Sequence, residues 1–168
     1  MEWTGARYAD KPTVEVRAWV GAPPGRVWEL VSDVTLMPAM SDELQSVEWL
    51  GGATRPALGA RFVGRNKHDS FGEWETISQV IEYDRGRVFA WAVGDTENPS
   101  AVWRFRLESK DGGTELSQWM QMGPGRSGLS FAIDAMPDKE QKIVFVRLRE
   151  FERNMTGVLE HIRKLAEA

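Results

Sequence analysis

Residues 101–122 read AVWRFRLESKDGGTELSQWMQM, and the rest of the chain is best read outward from them. Asp111-Gly112 is the strongest two-residue hairpin signal present, because the turn that matches the twist of paired strands needs positive φ at both central residues. A turn centred there sets Lys110 opposite Gly113, Leu107 opposite Leu116, Phe105 opposite Gln118 and Trp103 opposite Met120. Since side chains alternate between the two faces of a strand, the last three pairings gather on one side.

A slip of one residue inverts every face, so the neighbouring hairpins test this reading. The loop from Asp95 to Ala101, containing Asn98-Pro99, is a longer turn. A two-residue turn at Arg85-Gly86 places Val80 opposite Trp91 and Ser78 opposite Val93, which continues the same face through Phe89, Trp91 and Val93. A loop from His68 to Gly72 sets Lys67 against Glu73 and Arg65 against Glu75 on the outside, with Asn66 against Trp74 and Phe62 against Ser78 inside. The registers agree. Before them, residues 13–20 alternate as a first strand, Pro23 and Pro24 open a short helix carrying Val27, Leu30 and Val31, Asp33 or Thr35 caps a second brief helical turn, and residues 44–50 form a further strand.

After the sheet, Gly123-Pro124-Gly125 breaks the pattern, and Leu129 to Met136 is a short apolar segment that acts as a lid or a packed connector. From Asp138 onward, Val144, Leu148, Phe151, Met155, Val158, Ile162 and Leu165 recur at steps of three and four, tracing one stripe of a long helix. Asp138 with Gln141 resembles a capping box. Such a helix is about 43 Å long against about 27 Å for the strands, so it crosses a curved sheet obliquely and touches it more easily at the edges than at the centre. The expected fold is therefore α+β: a curved seven-stranded antiparallel sheet wrapped around a long C-terminal helix, with two short helices after the first strand and a space left in the middle. Residues 1–12 are read as an N-terminal extension and residues 13–168 as the domain.

With 168 residues, 42% of them hydrophobic and 27% charged, the chain has the length and composition of one globular domain able to bury roughly 70% of its unfolded surface. A net charge of −4 with interspersed acids and bases offers no field for a phosphate backbone, so nucleic acid is not expected as a partner. The absence of cysteine, with His68 and His161 as the sole imidazoles, argues against a metal site, and no cofactor is expected. No apolar run approaches membrane-spanning length and no signal peptide is visible, so a cytoplasmic chain that does not insert into membranes is expected; a homodimer stays open.

The order of elements resembles the START-like, helix-grip (SRPBCC) superfamily, and within it the polyketide cyclase/dehydrase branch. The likeness rests on Pro24 through Val27, Trp28, Val31, Ser32 and Asp33, on Gly59-Ala60-Arg61-Phe62, and on Gly112-Gly113-Thr114-Glu115-Leu116. What the resemblance implies is a binding fold for lipids, sterols, polyketides, quinones or hormones, with enzyme activity in some members. Where relatives often place tryptophan near the end of the second short helix, this chain has Met40.

The candidate ligand-binding residues are Met40, Phe62, Asn66, Trp74, Thr76, Ser78, Phe89, Trp91, Trp103, Phe105, Gln118, Met120, Met136, Phe151 and Met155. Asn66, Thr76, Ser78 and Gln118 carry the polar groups among them, and such groups, when buried, need each other, water or a ligand. No ionisable residue falls on an inward strand position, so the interior is expected to be chemically quiet. Gln118, Asn66 and the loop residue His68 are the candidates for any chemistry. The leading expectation is a carrier or sensor binding a hydrophobic small molecule. A polyketide cyclase or dehydratase working by orientation in the same cavity is the alternative, and a protein-interaction module, marked by an exposed apolar patch in place of a closed cavity, is the third reading.

Overall fold

Asp111 and Gly112 take φ of 50° and 75°, the left-handed backbone on which the hairpin reading depends. They join β6 (Ala101–Lys110) to β7 (Gly113–Met122), and every pairing from Ala101 with Met122 to Lys110 with Gly113 follows the expected register. The computed structural model describes residues 1–168. Ahead of this hairpin lie β1 (Thr13–Val20), α1 (Pro24–Val31), a 3₁₀ helix (Val34–Ala39), β2 (Leu44–Trp49), β3 (Arg61–His68), β4 (Gly72–Asp84) and β5 (Val88–Val93). After it come α2 (Gly128–Ala135), a 3₁₀ turn (Pro137–Lys139) and α3 (Glu140–Glu167). The seven strands form one antiparallel sheet in the order β1-β7-β6-β5-β4-β3-β2. Consecutive strands β1 and β2 thus lie at opposite edges, and α1 with the 3₁₀ helix bridges the open side between them.

α3 packs along β1, touches β7 more lightly, and meets α1 near its own C-terminal end. That asymmetry keeps the helix away from the middle strands. The core consequently divides in two. One cluster joins Val27, Trp28 and Val31 of α1 to Phe89, Phe105, Leu107, Leu116 and Ile162; the other joins Val14, Met120, Met122, Leu129, Val144, Leu148 and Met155. Each fully buried side chain of this size contributes about 1.5–3 kcal/mol of burial, so both clusters stabilise the frame without filling the space between them.

The Arg85-Gly86 turn differs from expectation. Asp84 pairs with Val88, so three residues turn rather than two, and a bulge at Ile81 absorbs the extra one before Val80 meets Trp91. Gly86 has φ 83° and Arg87 N–H donates to Asp84 O at 2.9 Å, so Asp84 to Arg87 close a turn whose third residue needs the left-handed backbone that glycine supplies. The bulge has a packing result: it brings Tyr83 onto the inner face, 5.6 Å from Trp28 and 6.4 Å from Phe89 between ring centres.

The capping box at Asp138 and Gln141 does not form. Pro137 starts a 3₁₀ turn, α3 begins at Glu140, and its N-cap Lys139 makes no side-chain capping bond. Gln141 and Glu140 instead hold the residues ahead of β1: Gln141 Nε2 donates to Gly5 O at 2.7 Å and Tyr8 N–H donates to Glu140 Oε2 at 3.0 Å. Leu165, expected on the buried stripe, is 44% exposed, because Ile162 and Ala166 take the inner positions there. No helix is long and apolar enough to cross a membrane.

Candidate functional site

Between the two core clusters lies a cavity of about 590 Å³, well within the range of small-molecule sites. Its walls come from the concave faces of β3 to β7, from one side of α3, and from the connections that carry Glu43, Phe71 and Arg126, with Leu129 and Phe131 of α2. Of the residues singled out from sequence, Phe62, Asn66, Trp74, Thr76, Ser78, Trp91, Trp103, Phe105, Gln118, Met120 and Phe151 line it. Met40, Phe89 and Met155 are buried but sit behind the wall in the packed clusters. Met136 is an exposed residue just past α2.

The walls are held by aromatic edges. Phe62 packs at 6.0 Å on Trp91, Trp91 at 6.1 Å on Phe105, and Phe151 of α3 stands edge-on to Trp103 at 5.4 Å. Rings fixed on neighbouring strands cannot collapse inward without breaking these contacts, each worth about 0.5–1.5 kcal/mol beyond burial. Gln118 sits opposite Phe105 on β7, is 6% exposed, and has a side-chain oxygen with no hydrogen-bond partner. An amide oxygen left so costs about 1–3 kcal/mol.

The expectation of a chemically quiet interior is overturned by α3. Arg147 is only 7% exposed and lines the cavity. Its guanidinium lies over the Phe151 ring at 4.2 Å and near Phe71 at 5.2 Å. Arg147 Nη1 is 2.8 Å from Glu43 Oε1 and 3.8 Å from Glu150 Oε2. The contact with Glu43 has the distance of an ion pair but not the angle of a hydrogen bond, so Arg147 Nη1 and Glu43 Oε1 both lack hydrogen-bond partners. The charge arrives on the helix, where a survey of inward strand positions does not find it. A signal for it exists in the spacing: Arg147 is three residues after Val144 and four before Phe151, both on the stripe. Glu43 lies in the connection before β2 and carries no local signal.

His68 stands apart from the cavity lining. Its Nδ1 accepts the Ser70 N–H at 2.9 Å, so the neutral ring carries its proton on Nε2, which donates to Glu150 Oε2 at 2.7 Å. Both nitrogens are therefore engaged, and the residue ties the β3–β4 loop to α3. A second tie runs from Asp42 N–H to Asn154 Oδ1 at 3.0 Å. On the far side of the mouth, Tyr8, ahead of β1, donates its hydroxyl to Gly125 O at 2.5 Å and lies 3.1 Å from Ser127 Oγ, just ahead of α2.

The model of the family described as "Polyketide cyclase / dehydrase and lipid transport" matches residues 11–167. Among solved structures, the chain is similar to a polyketide-cyclase-like protein of Corynebacterium glutamicum, with 28% identity and a TM-score of 0.63 over 91% of this chain and 90% of that one. It is similar to the Zhui aromatase/cyclase of Streptomyces sp. R1128 at 22% identity and a TM-score of 0.63, covering 93% of each chain. It also superposes on the two-domain aromatase/cyclase StfQ of the steffimycin pathway at 12% identity and a TM-score of 0.71, over 92% of this chain and 50% of that one. At such identities the last two likenesses speak to the fold alone. No curated protein matches the chain.

Proposed function

Because the chain belongs to the polyketide cyclase / dehydrase and lipid transport family, we propose that it is a cytoplasmic carrier or sensor that encloses one largely apolar small molecule between the sheet and α3. The observation that carries this reading is the cavity of about 590 Å³ walled by fixed aromatic rings, with Gln118 presenting an unpartnered amide oxygen among the wall residues. A flat apolar molecule gains burial against Trp74, Trp91 and Trp103 at about 25 cal/mol per Å², and Gln118 orients it through one hydrogen bond. His68, with both nitrogens bonded, has none to offer such a molecule.

Because three tryptophans line the cavity, titration with a neutral apolar dye such as Nile red tests the reading. A saturable change of tryptophan emission at one dye per chain is expected, and no change at any concentration would count against it. The Arg147–Glu43 pair at the cavity wall is the observation that favours cyclisation as a second reading, since it places a carboxylate and a guanidinium beside any bound molecule. In that case Gln118→Leu should lower turnover far more than affinity, because the interaction would be strongest in the transition state.

A further inference from the structure

Three buried side-chain atoms in the protein have no hydrogen-bond partner: Gln118 Oε1, Glu43 Oε1 and Arg147 Nη1. All three belong to residues that line the same cavity. They fall into two poles. The half of β7 around Leu116 packs with Leu159 and Ile162, and the half around Met120 and Met122 packs with Val144 and Leu148, so β7 and α3 run in opposite directions along the cavity. Trp103, which pairs with Met120, touches Phe151. From that level, Gln118 lies two residues back along the strand and Arg147 one helical turn away in the other direction, which separates the poles by on the order of 10 Å.

We infer that the ligand is an uncharged, rigid molecule with a hydroxyl at each end, the more acidic of the two set against the Glu43–Arg147 pair, within reach of both partners. The inference rests on the small-molecule reading of the cavity and adds to it the ligand's polarity and charge. Two of the three atoms are acceptors, and Glu43 Oε1 meets Arg147 Nη1 as an ion pair without the angle of a hydrogen bond, so a ligand that donates at both poles completes them. A hydroxyl at the Arg147 pole donates to Glu43 Oε1 while its oxygen accepts from Arg147 Nη1, and so satisfies both atoms at once. Charge decides against a fatty acid. Arg147 is already shared by the two carboxylates of Glu43 and Glu150, and a ligand carboxylate would add a third. The remaining charged residues of the lining do not alter that balance: Glu75 is paired with Arg65 at 3.3 Å and Arg126 with Asp134 at 2.5 Å. Between the poles the walls are aromatic, which suits a flat ring system.

The test is isothermal titration of the full chain with four probes: oestradiol, its phenol methyl ether, palmitic acid and Nile red. Oestradiol is expected to bind about tenfold more tightly than the ether, which keeps the shape but loses the donor for Glu43, and palmitic acid to bind more weakly than both. Glu43→Gln, which keeps an acceptor but removes its charge, should shrink the preference of oestradiol over the ether to about twofold. Equal affinities of oestradiol and ether in the unaltered protein, or tighter binding of palmitic acid, overturn the inference, and neither comparison depends on the variant folding. If Nile red binds at one per chain and those preferences are absent, only the two-pole ligand is wrong. If none of the four binds, the small-molecule reading itself falls.

Discussion

Replacing Gln118 by leucine should separate stability from binding. The amide oxygen is buried without a partner, so the folded protein bears a cost of about 1–3 kcal/mol that a leucine of similar volume would remove. The introduced leucine would lie opposite Phe105 of β6 and stand beside Leu116 and Met120 on its own strand, all apolar, so no new polar group is stranded. For a chain of this size each kcal/mol moves the midpoint by about 2–4 °C, and calorimetry should therefore show a rise in Tm of about 2–12 °C. A ligand held by the amide loses about one hydrogen bond, 0.5–1.5 kcal/mol, or roughly a two- to twelvefold weaker Kd by isothermal titration. A fall in Tm of several degrees with Kd unchanged would refute the reasoning, since it would mean that Gln118 is satisfied within the protein and takes no part in binding.

Other contacts make three further outcomes measurable. Arg147→Met should destabilise the fold by up to about 3 kcal/mol, by leaving Glu43 half-buried without its counter-charge, and adding Glu43→Gln should recover much of that loss in urea unfolding. Tyr8→Phe, which deletes the hydroxyl bonded to Gly125 O and Ser127 Oγ, should cost about 0.5–1.5 kcal/mol and raise amide exchange locally at residues 123–129, leaving β1 protected. Glu115 is held below the ordinary glutamate range by its hydrogen bond to Lys110 and by the charges of Lys110 and Arg17. Its folded value is thus depressed, so any stability it adds is present at neutral pH and lost as pH falls through that value. An NMR titration should find its carboxyl midpoint below that of a peptide glutamate, and return it toward normal in Lys110→Met.

How much is legible in the sequence depends on whether a feature is local. Asp111-Gly112 fixes its hairpin by turn chemistry alone, and Lys67 with Glu73 and Arg65 with Glu75 confirm the first hairpin because a slip would set charges inward. The inner aromatic face follows from those registers. The turn after Asp84 is disguised because a bulge at Ile81 cancels its extra residue: two-residue and three-residue versions agree on Val80 opposite Trp91, and only Tyr83 betrays the difference. The Asp138 cap fails through competition, since Gln141 finds a backbone carbonyl at Gly5, far away in sequence. The Arg147–Glu43 pole escapes a strand-by-strand reading for a related reason. A charge on the inner stripe of α3 is readable by spacing, but its partner in the loop before β2 is brought to it only by the folded sheet. Phe131, 72% exposed beside the mouth, belongs to the same class, because the apolar pattern of α2 does not say which of its residues the cavity will meet.

The central claim is that the cavity between sheet and α3 holds one apolar molecule, and native mass spectrometry of the freshly purified chain tests it most directly. The expected result is either a co-purified adduct of small-molecule mass released by collisional activation, or, after solvent stripping, a saturable complex of one oestradiol per chain. A fresh chain without an adduct whose stripped form then binds neither oestradiol nor Nile red, at concentrations far above those of ordinary carriers, would contradict it.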